Sequence, residues 1–115
     1  MKPSPVFDKI DIHLIRVLHT VLTERSVSRT ALKMGMYQPA VSAALRQLRS
    51  LMGDALLVRS GAHMVPTELG LHMIEPSARV LEAAEALFVG SREFDPRTEK
   101  ITFKIGASDF LDPFF

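Results

Sequence analysis

Cysteine is absent from the 115 residues, and that absence excludes disulfide scaffolds, thiolate metal sites and cysteine nucleophiles. Long apolar runs are missing too. No stretch approaches the ~20 apolar residues needed to span a bilayer, and the start MKPSPVFDKI has none of the apolar length of a secretion signal. A cytoplasmic protein with no membrane segment is the expectation. The chain also lacks a glycine-rich phosphate loop, a Gly-x-Ser-x-Gly turn and a His-Glu-x-x-His pair. Its four histidines, His13, His19, His63 and His72, fall in different elements, and the spacing of the first two puts them about 240° apart around a helix. Ser42 has no neighbouring base and Asp109 no partner. Neither a metal, a cofactor nor an enzymatic centre is expected.

What remains is a chain built to fold. Hydrophobic residues make up 47% of it with no low-complexity tract, which separates it from disordered chains. The net charge of +1 conceals an asymmetry: residues 1–66 carry nine Lys/Arg against four Asp/Glu, whereas residues 67–115 carry five against nine. A basic first part suits a partner with a negative backbone, and its acidic continuation belongs elsewhere.

The chain is organised around residues 31–48, ALKMGMYQPAVSAALRQL. Ala31, Gly35 and Val41 have the spacing of two short helices crossing at a tight turn. A larger residue than Ala31 would hold the helices apart, Gly35 can take the left-handed conformation that reverses the chain, and Val41 fills the angle from the far side. Pro39 falls in the first turn of the second helix, where its missing N–H costs nothing. That helix, roughly 39–52, has an apolar stripe of Val41, Leu45, Leu48 and Met52. Opposite it lies a polar face of Gln38, Ser42, Arg46 and Arg49. An amide, a hydroxyl and guanidiniums with no carboxylate among them match base edges and phosphates.

Before this pair, Asp8 or Asp11 can cap a helix whose stripe is Ile10, Leu14, Val17, Leu18, Val21 and Leu22, ending near Arg25. Ser26 or Ser28 opens the next helix, with Val27, Ala31, Leu32 and Met34 inward and Arg29 and Lys33 outward. Gly53 stops the polar-faced helix. Two short strands, Leu56–Arg59 and His63–Pro66, then pair across Ser60-Gly61-Ala62 as a wing. Thr67 caps a long helix with Glu68 at its positive end. Along it Leu69, Met73, Pro76, Val80, Ala83 and Leu87 step as a heptad seam that Leu81, Ala84 and Phe88 widen. At about 1.5 Å per residue the helix is too long for so small a domain to cover, so a homodimer is expected, with a kink at Pro76. Gly90-Ser91 should end it, residues 94–98 read as a turn, and Ile101, Phe103 and Ile105 alternate as a lone strand.

With Ser26-Val27-Ser28-Arg29, Gln38-Pro39-Ala40-Val41-Ser42, Gly53-Asp54-x-Leu56-Leu57-Val58-Arg59 and Met64-Val65-Pro66-Thr67 in order, the sequence resembles the amino-terminal part of LysR-type transcriptional regulators. Glu75-Pro76 and Phe94-Asp95-Pro96, followed by Thr102-Phe103, resemble the branch containing regulators of aromatic degradation and of nodulation. The resemblance implies a mainly α fold: a winged helix-turn-helix of three helices plus a β-hairpin wing, followed by a long dimerisation helix. Its divisions fall at 1–66, 67–92 and 93–115, the last being a hinge and the first strand of a truncated effector-binding domain.

It further implies that two protomers pair antiparallel through the linker helix, with a tetramer open to the intact protein. The small-molecule inducer would bind only the intact protein, near positions such as Ser108, and this chain by itself should not respond to one. DNA contacts map onto Gln38, Pro39, Ser42, Arg46 and Arg59. Ser28, Arg29, Lys33, Tyr37 and Arg49 complete the expected double-stranded DNA surface. Dimerisation falls to Leu69, Met73, Val80, Leu81, Ala84, Leu87 and Phe88. Two departures stand out. Tyr37 occupies the place of a capping Ser or Thr, and Ala62-His63 replaces a wing tip that often carries Arg. The competing reading is a winged-helix protein-interaction module, with the heptad helix as its working surface.

Overall fold

After a single-turn helix, α1 (Pro5–Asp8), two side-chain oxygens set where the next helices begin in the computed structural model, which describes residues 5–94. Asp11 Oδ1 accepts from the Leu14 amide at 2.8 Å and opens α2 (Ile12–Glu24). Ser26 Oγ accepts from the Arg29 amide at 3.0 Å and opens α3 (Val27–Met34). Each bond satisfies an amide that the helix itself cannot. Asp11 and Ser26, not Asp8 and Ser28, are therefore the caps. The polar-faced helix follows as α4 (Gln38–Met52), then the strands β1 (Leu57–Ser60) and β2 (His63–Pro66) and the long α5 (Glu68–Phe94).

Three of these helices end on the same device, a residue in the left-handed conformation. At the ends of α3 and α4 it is glycine, Gly35 with φ 65° and Gly53 with φ 63°. At the end of α2 it is Arg25, with φ 57°. A side chain in that conformation costs about 1 kcal/mol that glycine avoids.

The core lies where α2, α3 and α4 meet. Val17, Val21 and Leu22 of α2, Val41 of α4, and Leu56 and Leu57 at the base of the wing have no exposed surface, and Ala31 and Leu45 are nearly as deep. Ala31, Gly35 and Val41 take the places their spacing predicts. Leu32 does not. Expected inward, it is 85% exposed, because it sits about 100° beyond Ala31 on a helix whose inward stripe is Val27, Thr30, Ala31 and Met34. Thr30 can be fully buried because its hydroxyl donates to the Ser26 carbonyl at 2.7 Å, leaving no polar group unmatched.

The wing is a two-stranded antiparallel hairpin with Leu57 opposite Pro66 and Ser60 opposite His63. Its tip is Gly61-Ala62, where Gly61 has φ 64°, the positive value that tight hairpin turns require. At its base a hydrogen-bonded node joins three elements. Asp54 Oδ2 accepts from the Leu56 amide and from Thr67 Oγ1, both at 2.7 Å. Thr67 Oγ1 in turn accepts from the Gly70 amide at 3.0 Å, and the Thr67 amide donates to the Leu56 carbonyl at 2.9 Å. Leu56 is thereby held at φ 64°, a conformation a branched residue adopts only when its surroundings impose it.

The Thr67 hydroxyl, and after it the Leu56 amide, hold the Asp54 carboxyl below its ordinary value of 3.8, against a smaller upward push from burial. A carboxyl whose folded value is depressed adds stability above its unfolded value, near 4, and loses it as pH falls through the lower, folded one. The wild-type melting temperature should therefore drop on acidification below about pH 4 more steeply than that of Asp54→Asn, which should melt lower at neutral pH. Parallel melting curves for the two proteins from pH 7 to pH 3 would show that Asp54 does not hold the node.

Helix α5 is 27 residues long and runs through Gly90 and Ser91 to Phe94, past the stop expected there. One interior glycine costs a helix only about 1 kcal/mol and ends it only where the chain also turns left-handed. The chain divides into two units, 1–78 and 79–115. In the first, Leu69, Met73 and Ile74 pack against the core, and His19 Nδ1 lies 3.0 Å from Ser77 Oγ and 3.2 Å from the Ile74 carbonyl. The turn expected at 94–98 does not begin at Phe94, which is the last residue of α5; its remaining residues, the expected strand at 101–105 and Ser108 lie outside the described residues.

Candidate nucleic-acid interface

The crossing of α3 and α4 decides what the first unit presents. Val41, Leu45 and Leu48 take one side of α4 into the core, so Gln38 and Arg46 are exposed and Ser42 is half-buried on the other side. Pro39 stands in the first turn, as expected. Tyr37 precedes the helix with 86% of its surface exposed and gives no side-chain cap. Only its carbonyl serves the helix, accepting from the Ala40 and Val41 amides at 3.0 and 3.2 Å. The phenol is left pointing to solvent beside Gln38.

Between α4, the start of α3 and the wing lies an open cleft of about 740 Å³. Of the expected DNA contacts it brings together Ser28, Arg29, Gln38, Ser42 and Arg59. Arg46, Tyr37 and Pro39 lie outside its walls but remain exposed. Two expected contacts have other work. Lys33 Nζ pairs with Glu24 Oε2 at 3.0 Å, and since Glu24 also lines the cleft, Lys33 neutralises the acid there. Arg49, assigned to a phosphate, is turned inward: Nε donates to the Ala55 carbonyl at 2.8 Å and a terminal nitrogen to the Leu57 carbonyl at 2.9 Å. Two of its three nitrogens are thus engaged within the fold. Arg49 stands one turn further along α4 than Arg46, level with the base of the wing, and it fastens Ala55 and the first residue of β1 to the helix.

The cleft also contains residues that sequence reasoning passed over. Arg25 and His63 line it, Arg25 from the helix end described above and His63 from the first position of β2. Arg25 directly precedes the capping Ser26, and that adjacency was the one signal available. The charged groups on the cleft walls are thus three guanidiniums, those of Arg25, Arg29 and Arg59, and one carboxylate already paired with Lys33. A groove of this character attracts a polyanion.

The expected dimer residues divide. Leu69 and Met73 are turned towards the core of the first unit. In the second unit Val80, Leu87 and Phe88 are 43%, 67% and 45% exposed, while Leu81 and Ala84 are half-buried. Positions 80, 84, 87 and 88 fall on one side of the helix by their spacing.

Crossed helices over a third, a two-stranded wing, and an outward polar helix face beside a cationic cleft define a winged helix-turn-helix DNA-binding domain. Residues 12–71 match the family described as bacterial regulatory helix-turn-helix protein, lysR family, and the chain belongs to that family. It is 36% identical over 106 residues to the transcriptional activator NahR of Pseudomonas putida, covering 92% of this chain and 35% of that protein. Nodulation protein D 2 of Bradyrhizobium elkanii is 34% identical over 105 residues, 91% of this chain and 32% of that one. The chain thus spans about a third of the length of these relatives, one named as a transcriptional activator and the other as a nodulation protein.

Among solved structures, a probable transcriptional regulator of Pseudomonas aeruginosa superposes with a TM-score of 0.64 at 30% identity, over 70% of this chain and 27% of that one. The BenM DNA-binding domain in complex with catB site 1 DNA gives 0.68 at 20% identity, over 73% and 93%. The second likeness establishes the shared fold.

Proposed function

We propose that this chain recognises operator DNA as a homodimer and supplies the DNA-binding part of a cytoplasmic transcription regulator that is not an enzyme. The observation that carries the reading is the placement of Gln38 and Ser42 at the leading end of α4, on the wall of a cleft whose cations include Arg29 and Arg59. In this arrangement α4 lies in the major groove. Gln38, Ser42 and Arg46 meet base edges there, Pro39 and Tyr37 approach the backbone at the helix start, and Ser28, Arg29 and Arg59 hold phosphates on either side. The name of NahR as a transcriptional activator supports the regulatory role. Inducer binding belongs to the remainder of the intact protein. A footprint over the DNA beside the protein's own gene should show two protected half-sites about one helical turn apart, or a multiple of it. Uniform protection, with no sequence recovered preferentially from a random library, would defeat the reading.

The dimer rests on the stripe of Val80, Ala84, Leu87 and Phe88, an apolar surface on the second half of α5 whose pairing with a second copy removes it from water. Sedimentation at micromolar concentration should give a dimer, and Leu87→Glu should shift it to monomer and weaken operator binding. A monomeric wild type, with operator affinity indifferent to Leu87→Glu, would show that the stripe has another use.

A further inference from the structure

Arg25 occupies a position at which the chain twice elsewhere uses glycine. It closes α2 at φ 57°, its amide bonded to the Val21 carbonyl at 2.8 Å, just as Gly35 and Gly53 close α3 and α4. The fold needs only the backbone there. The side chain is exposed and lines the cationic cleft with Arg29, Gln38, Ser42 and Arg59. The carboxylate next to it in sequence, Glu24, is already paired with Lys33 at 3.0 Å, and no ion pair of the Arg25 guanidinium is found among the described residues. A residue retained in a strained conformation, with no structural task for its side chain, points to a task outside the fold.

We infer that Arg25 is a DNA backbone contact: with Arg29 and Arg59 it holds the phosphates of the strand that passes between the start of α3 and the wing. The inference rests on the DNA-binding reading of this cleft. Phosphate contacts carry no sequence information, so the test needs no knowledge of the operator.

The experiment is a salt titration of the full chain, from 50 to 200 mM NaCl, on a mixed-sequence 30-base-pair duplex, followed by fluorescence anisotropy, with thermal melts alongside. Arg25→Gly is expected to reduce the slope of log affinity against log salt by about 0.9 per bound protomer, equivalent to about fivefold weaker binding at 0.15 M salt. The same substitution should raise the melting temperature by a few degrees, since glycine relieves the left-handed conformation. Arg25→Lys should keep the slope, because a phosphate needs the charge more than the fork. Gain in stability together with loss of affinity is a combination that a merely structural residue would not give. An unchanged slope in Arg25→Gly, beside a wild type that binds the duplex, would overturn the inference and leave the DNA reading intact. A lower melting temperature would overturn it as well, by showing that the fold requires the side chain. A wild type with no salt-dependent affinity would remove both readings together.

Discussion

Gly70→Ala is expected to lower stability by about 2 kcal/mol and the melting temperature by about 10 °C. On helix propensity alone the substitution should help, since alanine in a helix is better than glycine by about 1 kcal/mol. Contact geometry decides otherwise. A Cβ at Gly70 would stand 2.5 Å from the Leu56 carbonyl oxygen, 3.0 Å from Leu22 Cδ2 and 3.2 Å from Pro66 Cβ. The Leu22 methyl can move, but the oxygen is backbone. It is pinned by the Thr67 amide, while the Leu56 amide is pinned by Asp54. Relief therefore requires the first turn of α5 to lift, which breaks the node and opens the core at Leu22. Thermal unfolding followed by circular dichroism measures this, and an alanine variant as stable as wild type would show that the helix slides aside at no cost.

Gln38→Ala is expected to cost about 1–3 kcal/mol on the operator and little on random DNA. Gln38 is exposed in the first turn of α4 and lines the cleft, so in the proposed complex an amide with a donor and an acceptor would stand where the helix first meets a base edge. Its loss removes discrimination while the phosphate contacts keep their share of the affinity. Competition titrations of operator against mixed-sequence DNA separate the two terms. Equal losses on both would move Gln38 from the bases to the backbone.

The parts of this fold legible in the sequence are those whose causes are local. Ala31, Gly35 and Val41 act within ten residues of one another, and the caps at Asp11 and Ser26 each act across three, so a steric or hydrogen-bonding reason can be read directly. The wing was legible from two short apolar-rich runs on either side of the glycine at its tip. Leu32 misled because α3 has only eight residues, too few turns for a stripe to declare itself, and because a threonine took the inward place that a leucine would usually hold. The partners of Arg49 could not be read from the polar face, since they are the carbonyls of Ala55 and Leu57, whose positions depend on the fold. Gly70 shares that difficulty, since its crowding exists only once α2, the wing and α5 are assembled; the left-handed turn at Arg25 is local, but no glycine marks it in the sequence. Sequence reasoning found the face of α4 and the flanking Ser28, Arg29 and Arg59, and missed Arg25 and His63 as residues of the cleft.

The two ends of the wing differ in what an added residue would do. At the base, Arg49 spans from α4 to the carbonyls of Ala55 and Leu57, and Asp54 spans from the same loop to Leu56 and Thr67, so no slack exists between positions 53 and 57. At the tip, Gly61 and Ala62 are exposed and bear on nothing in the core. An inserted residue is thus expected to be tolerated at the outer end of the hairpin, where it would change how far the wing reaches without altering the angle at which it leaves the domain.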